Sequence, residues 1–126
     1  FKVHVNGTAS TTTFIDGSDR RLKKNIKAIP NGALDIVTKL RPISFEWKNP
    51  KNFTMEGKKF GFVAQEVEPI LQQAVLTQEN EEQTKGLKYS TFIPLLTKAI
   101  QELQAENKRL REMADKLEEA FAASQK

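Results

Sequence analysis

The residues with the clearest chemical potential are a serine and a lysine near the start of the chain, Ser18 and Lys23. A serine hydroxyl beside a lysine amine is a known variant of the nucleophile–base arrangement. A lysine acts as a base only when its amine is neutral, and like charges and burial both lower the pKa of a lysine. Burial would have to come from assembly with other copies, whereas like charge would come from the basic residues nearby: Arg20, Arg21, Lys24 and Lys27.

The spacing of this pair restricts how the two side chains can meet. Residues five apart point about 140° away from each other on an ideal helix, and they point to opposite faces of a strand. A regular helix or strand therefore does not bring Ser18 to Lys23. Two arrangements stay open: Ser18 lies in a turn before a helix, or the lysine comes from a neighbouring chain.

The sequence offers little support for other catalytic sites or for a metal site. The one histidine, His4, has no acidic residue within two positions, and we interpret it as a surface residue. The chain has no cysteine, so disulfides and thiolate metal sites are excluded. The acidic residues at 79, 81 and 82 lack the ligand spacing of a calcium loop, and no Gly-rich phosphate loop is present. The sequence therefore predicts neither a cofactor nor a metal.

Length and composition suit one small domain with an extension: 126 residues, 38% hydrophobic and 29% charged. The net charge of +4 is a mild bias and is not combined with aromatics or a groove-reading helix, so we predict no nucleic-acid partner. No signal peptide and no bilayer-spanning apolar run is apparent, so we predict no membrane partner. Because Phe1 is not an initiator methionine, we expect the chain to be part of a longer polypeptide.

Residues 1–17 differ in character from the rest. Phe1, Val3 and Val5 alternate with polar residues, which is the period of a strand, and Asn6-Gly7 is a tight-turn signal. This segment predicts a β-hairpin or the tail of a preceding β-rich domain, with a boundary at Asp16-Gly17.

Short helices and strands are predicted between residues 18 and 89. Apolar residues at helical spacing, preceded by Asn31 as a cap, predict a helix over about 32–40. Apolar runs and alternation predict strands elsewhere. The remaining predicted elements are a strand from Ile43 to Trp47, a strand from Phe60 to Ala64, a helix around Gln65–Gln73, and a strand pair formed by Val75-Leu76 and Leu87-Tyr89.

An apolar heptad begins after Ser90, where Pro94 suits the first helical turn. Leucine at every d position specifies a coiled coil, and an asparagine at an a position fixes register and oligomeric state. About 30 residues of helix extend about 45 Å, further than a small domain covers alone, although one amphipathic helix on a globular core is the alternative. The heptads do not distinguish a dimer from a trimer. The predicted seam consists of Ile93, Leu96, Ile100, Leu103, Asn107, Leu110, Ala114, Leu117 and Phe121.

The nine residues Ser18–Ile26 resemble the opening motif of the intramolecular chaperone auto-processing domains, which are self-cleaving serine peptidases of phage tailspikes, tail fibres and neck appendages. That motif is Ser-Asp-x-Arg-Leu-Lys-x-Asn-Ile, and every fixed position is matched. The resemblance covers about 18–121, and three further blocks carry it: Pro42–Trp47, Gly61–Glu68, and Tyr89 followed by Pro94–Leu103.

The resemblance implies an α+β fold: a small mixed domain of short helices and strands followed by a long C-terminal coiled-coil helix, assembled as a homotrimer. Residues 1–17 would be the end of an upstream β-rich stalk, 18–89 the chaperone and auto-processing core, and 90–126 the coiled-coil helix. The domain would help the stalk of its own polypeptide to fold in the bacterial host cytoplasm, and the parent protein would belong to the virion tail.

Self-cleavage between Gly17 and Ser18 is also implied, with Ser18 as nucleophile and Lys23 as base. Glycine leaves the carbonyl uncrowded and permits a strained backbone. It stays open whether Ser18 attacks its own preceding carbonyl or that of another chain. Backbone amides, Arg21 and Asn25 are the candidate oxyanion donors.

Two other functions compete with this interpretation. The first is a non-enzymatic trimerisation module in which Ser18 and Lys23 are structural. The second is a basic-region zipper, in which the basic helix runs straight into the zipper. About 65 residues separate Lys27 from Ile93, which argues against the zipper.

Overall fold

The computed structural model describes residues 2–126, and these form two units, each with its own elements. The first unit comprises residues 2–28 and 42–61, and the second comprises residues 29–41 and 62–126. The predicted α+β character is confirmed, because both units combine short strands with helical turns, and the chain continues into one long helix.

The first unit is built around one pair of strands. Strand β1 (Ile43–Phe45) pairs antiparallel with β2 (Lys59–Gly61), with Ser44 opposite Phe60. Both strands are shorter than predicted. The Trp47 ring packs edge-on against Phe45, with 5.1 Å between ring centroids. Two single turns of 3₁₀ helix complete the unit, at Arg20–Leu22 and Phe53–Met55.

The hairpin predicted before Asp16 is wrong for the chain by itself. No strand forms between residues 2 and 17, where the backbone bends at Asn6, Gly7 and Thr12, and Phe1 lies outside the described residues. A strand must pair its backbone N–H and C=O groups, and the described residues offer this segment no partner strand. The other interpretation, the tail of a β-rich stalk, stays a prediction.

The hydrophobic core of the second unit lies between α1 (Ala33–Lys39), α2 (Ala64–Val67) and the beginning of α3 (Phe92–Ser124). The predicted strand pair is confirmed as β3 (Val75–Thr77) and β4 (Lys85–Leu87), which are antiparallel with Val75 opposite Leu87. Tyr89 belongs instead to a 3₁₀ turn, Tyr89–Thr91. The buried core side chains are those of Ala33, Val67, Leu71, Ala74, Phe92, Leu95 and Ala99.

The helix predicted around Gln65–Gln73 is interrupted. Helix α2 ends at Val67, and a 3₁₀ turn at Gln72–Ala74 follows. Pro69 has no backbone N–H and its ring clashes with the preceding helical turn, so a continuous helix cannot pass through this position.

The cap of α1 comes from a distant part of the chain. Asn31 was the predicted cap, but Gly32 holds that position with a left-handed φ of 118°, which glycine adopts without a steric penalty. The carboxylate of Glu102, on α3, accepts hydrogen bonds from the backbone N–H groups of Gly32 (2.6 Å) and Leu34 (2.7 Å). Helix α3 therefore caps α1 from 70 residues later in the chain.

We expect Glu102→Gln to lower the thermal midpoint of unfolding by a few degrees at neutral pH. The hydrogen bonds from the backbone N–H groups of Gly32 and, to a smaller extent, Leu34 lower the pKa of Glu102 below its ordinary value. A carboxyl group with a lowered folded-state pKa stabilises the fold above its unfolded pKa and loses this contribution as the pH falls through the folded pKa. The difference between wild type and variant should therefore shrink below about pH 4. Melting curves from pH 7 to pH 3 measure it.

The matched control is Glu118→Gln, on the exposed part of the same helix. Equal midpoints for Glu102→Gln and Glu118→Gln at pH 7 would contradict the capping role.

Helix α3 has 33 residues, about 50 Å of helix, and two apolar faces in its first turns. One face places Phe92, Leu95 and Ala99 in the core. The other face carries the predicted seam, all of whose residues are exposed in the single chain, with Ile93 66% and Ile100 67% exposed. From residue 107 onward every residue is exposed. The alternative interpretation, a single amphipathic helix packed on a globular core, therefore explains the first face but not the exposed seam.

Candidate active site

A single 3₁₀ turn brings Ser18 and Lys23 together. The Lys23 Nζ donates a hydrogen bond to the Ser18 Oγ at 2.7 Å. The turn at Arg20–Leu22 reverses the chain between them, with backbone hydrogen bonds from Leu22 N–H to the Asp19 carbonyl (3.0 Å) and from Lys23 N–H to the Arg20 carbonyl (3.1 Å). The described chain is nearer to the first of the two arrangements left open by the spacing, with Ser18 just before a 3₁₀ turn and no longer helix directly after it. The pair meets within one chain, so contact between the two side chains does not require a neighbour.

The turn is held by an aspartate and an arginine. The Asp19 Oδ1 caps it by accepting a hydrogen bond from the Arg21 backbone N–H at 2.8 Å. The Arg21 side chain then binds the same carboxylate with both arms, Nε to Oδ1 at 3.1 Å and Nη2 to Oδ2 at 2.9 Å. The hydrogen bond from the Arg21 side chain lowers the pKa of Asp19, and the same bond raises the pKa of Arg21.

Two candidate oxyanion donors have distinct surroundings. The Arg21 guanidinium already uses two of its nitrogens on Asp19, which argues against a free role at a developing oxyanion. Asn25 adopts a left-handed backbone with φ 56°, a conformation that asparagine tolerates better than most residues. Neither side chain is hydrogen-bonded to Ser18 in the described chain.

Gly17, the residue before Ser18, is not strained. Its backbone lies outside the left-handed region, and a Cβ placed on it would meet open space. The described chain therefore shows no backbone strain at Gly17. That glycine leaves the carbonyl uncrowded and permits strain at this position stays a prediction.

The site is open to water in the single chain. Ser18 and Lys23 are both exposed, and so are the apolar side chains of Leu22 (79%) and Ile26 (55%) on the same segment. The burial expected around the lysine is thus not supplied by the chain alone.

Other residues singled out by the sequence lie elsewhere. His4 is exposed. Among residues 2–126, no group of three or more His, Cys, Asp or Glu side chains is arranged to hold a metal ion. No helix within these residues is long and apolar enough to cross a membrane.

The Gly61–Glu68 block supplies ion pairs that the sequence did not indicate. Glu66 accepts hydrogen bonds from Arg41 through both carboxylate oxygens, at 2.7 and 2.6 Å, and Glu68 pairs with Lys85 at 2.9 Å. Both pairs join residues of the second unit. They join short elements of that unit to one another.

The pairing of Asp19 with Arg21 was also missed, although Arg21 was named as a candidate oxyanion donor. The signal for it was present in the sequence, since aspartate is a preferred cap residue and precedes the basic run directly. A cap residue can be recognised only when a helical turn is expected after it, and the basic composition of 20–24 gave no such expectation.

Comparison with known proteins finds a family match that begins at Ser18. Residues 18–76 match the protein family described as Peptidase S74, chaperone of endosialidase. The chain is 34% identical over 119 residues to the long tail fiber protein Gp37 of Enterobacteria phage Ox2, covering 88% of this chain and 47% of that protein. It is 35% identical over 96 residues to Gp37 of Enterobacteria phage M1, covering 75% and 38%. The chain thus spans less than half the length of these curated relatives.

Proposed function

The chain belongs to the chaperone of endosialidase family, and from this premise we propose that it is a self-cleaving, trimer-forming chaperone of a phage tail fibre. It assists folding of the β-rich segment that precedes Ser18 in the same polypeptide. It then releases that segment by cutting the bond between Gly17 and Ser18. The parent fibre is assembled in the host cytoplasm and functions in the virion tail.

The observation that carries this proposal is the 2.7 Å hydrogen bond between Lys23 Nζ and Ser18 Oγ. Ser18 is also the first residue of the family match. A hydroxyl and an amine within hydrogen-bond reach meet the geometric requirement for a nucleophile and its general base. Residues 1–17 are accordingly assigned to the end of the stalk, 18–89 to the auto-processing core, and 90–126 to the coiled-coil helix.

In the proposed reaction the neutral Lys23 amine takes the proton of the Ser18 hydroxyl, and the oxygen attacks the Gly17 carbonyl carbon. The C–N bond between Gly17 and Ser18 breaks as the leaving nitrogen receives the proton back from the lysine. The product is an ester of Gly17 on a serine oxygen. Water then attacks this ester and gives up one proton to Lys23, which returns it to the departing serine oxygen. The final products are a Gly17 carboxyl and a free Ser18 hydroxyl.

Attack within one chain and attack on a second copy give the same products. Co-assembly of a mass-tagged Ser18→Ala chain with the wild type separates them. The tagged chain stays uncut if each Ser18 attacks its own preceding carbonyl. It is cut if the serine of a neighbouring copy attacks.

The exposed seam of α3 supports the trimer-forming part of the proposal. A row of apolar side chains on the outside of a long helix is the signature of a coiled-coil surface, and the asparagine at position 107 belongs to it. A β-rich stalk benefits from such a nucleus, because its non-local strand pairings form slowly and expose unpaired edges meanwhile.

The test is the mass of a longer precursor after expression. A fragment beginning at Ser18 is the expected product, together with the upstream segment ending at Gly17. A precursor that remains intact while forming soluble trimers would instead favour the non-enzymatic trimerisation module.

We expect Lys23→Ala to slow cleavage at least about 100-fold, the usual contribution of a positioned general base. The measurement is the fraction of precursor cut over time. Lys24→Ala is the matched control, since it removes the same charge from the next position. Equal cleavage rates in the two variants would exclude Lys23 as the base.

A further inference from the structure

We propose that Asp19 and Arg21 act as positioning residues that hold Ser18 and Lys23 in their reactive geometry. This inference rests on the proposed self-cleavage and assigns to these two residues a separate role in it. We call Asp19 and Arg21 together the clamp.

The clamp acts through the shape of the turn. Asp19 follows the nucleophile directly, and its carboxylate caps the 3₁₀ turn whose end places Lys23 next to Ser18. A regular helix or strand would point these two side chains apart. The tight turn is therefore the feature that makes the contact, and the cap on the Arg21 backbone N–H is the contact that favours the turn.

The Arg21 side chain holds the Asp19 carboxylate in the orientation that caps the turn. Its planar guanidinium meets both carboxylate oxygens, at 3.1 and 2.9 Å, which is the two-armed geometry that arginine provides and lysine does not. Because the guanidinium engages both oxygens, it favours the carboxylate orientation that accepts the hydrogen bond from the Arg21 backbone N–H.

Because these residues are exposed, a positioning role can be distinguished from a contribution to folding stability. None of residues 18–23 is buried, and an exposed ion pair adds little to stability. The clamp has few other contacts to stabilise, so its effect should appear in the distance between Ser18 and Lys23 and in the cleavage rate. Small displacements of reacting groups have large effects on rate.

The experiment measures single-turnover cleavage of the full precursor, with melting temperature and oligomeric state determined on uncut Ser18→Ala versions of each variant. We expect Arg21→Ala to cleave about tenfold more slowly than Arg20→Ala, the matched control that removes the same nearby positive charge. Arg20 lies in the same turn, and its side chain forms no salt bridge among the described residues. Melting temperature and oligomeric state should stay unchanged in both variants.

A conservative variant tests the cap itself. Asp19→Ala should slow cleavage at least about tenfold, whereas Asp19→Asn should restore several-fold of that loss, because the amide oxygen still accepts from the Arg21 N–H. If Asp19→Ala does not fold, Arg21→Lys decides. It keeps the charge but lacks the two-armed geometry, and we expect it to cleave as slowly as Arg21→Ala.

The results that would overturn the clamp differ from those that would overturn the proposed self-cleavage. Wild-type rates in Asp19→Ala and Arg21→Ala, with Lys23→Ala inactive, would overturn the clamp and leave the proposed function standing. Equal loss in Asp19→Asn and Asp19→Ala, or in Arg20→Ala and Arg21→Ala, would also overturn it. Normal cleavage in Ser18→Ala would overturn the proposed function itself.

Discussion

Replacing Ser18 with alanine is expected to abolish cleavage of the precursor while leaving its folding and assembly unchanged. The hydroxyl is the nucleophile in the proposed reaction, and loss of a nucleophile typically slows such reactions by 10³-fold or more, as an order of magnitude. The side chain is exposed, and within residues 2–126 its one side-chain hydrogen bond is to Lys23, so few stabilising contacts are lost. Mass spectrometry of the purified precursor measures the result.

Ser10→Ala is the matched control, because Ser10 is an exposed serine on the other side of the proposed cleavage site. The control should be cut like the wild type. A product of normal mass from Ser18→Ala would show that another group attacks the Gly17 carbonyl, and the assignment of nucleophile would be wrong.

The double substitution Leu103→Glu and Leu110→Glu is expected to eliminate trimers, cleavage and soluble stalk together. Both leucines lie on the exposed seam of α3, at 45% and 49% exposure, so the single chain should tolerate the charges. A coiled coil would bury these carboxylates without partners, which is costly. Cleavage should fail as well, because the Ser18–Lys23 pair is open to water in the single chain and exclusion of water strengthens the interactions of a catalytic site.

The control places the same two negative charges outside the seam, as Gln101→Glu and Ala105→Glu, both exposed positions of α3. This variant should assemble and cut normally. Sedimentation velocity and precursor mass are measured on the same samples. Monomers of the Leu103→Glu, Leu110→Glu variant that cleave at the wild-type rate would contradict the coupling and make cutting a local property of residues 17–26.

The structure changes the reason for expecting cleavage to depend on assembly. From spacing alone, a neighbouring chain was one way to supply the lysine, and assembly would then have created the pair. The 3₁₀ turn at Arg20–Leu22 creates it within one chain. What assembly can still supply is the removal of water from around Ser18 and Lys23.

The elements that local pattern could predict are those whose side chains repeat at a regular interval. Helix α1 and the pairing of β3 with β4 follow from apolar residues spaced for one face of a helix or for a strand. The hairpin prediction before Asp16 failed for the complementary reason. A strand requires a partner for its backbone groups, and alternation of side chains does not reveal whether that partner is present.

The two faces of α3 show the same limit. The heptad from Ile93 to Phe121 is visible in the sequence because it repeats without interruption. The second face, Phe92, Leu95 and Ala99, is short, and it becomes apparent only when α1 and α2 lie against it. The stacking of Phe62 on Phe92, at 5.1 Å between ring centroids, likewise joins residues far apart in the chain.

Residue types and spacing were enough to single out Ser18 and Lys23 as candidate reacting groups, to predict the long helix with its apolar seam, and to indicate the family. How the serine and lysine meet, and which groups bond to the ends of the short elements, became apparent from the folded chain. The serine and lysine meet across a turn that Asp19 caps, and the first backbone N–H groups of α1 bond to Glu102. The physical reason is that periodicity encodes which face of an element is apolar, whereas a hydrogen bond to one backbone N–H depends on distances of a few tenths of an ångström, which composition and spacing do not specify.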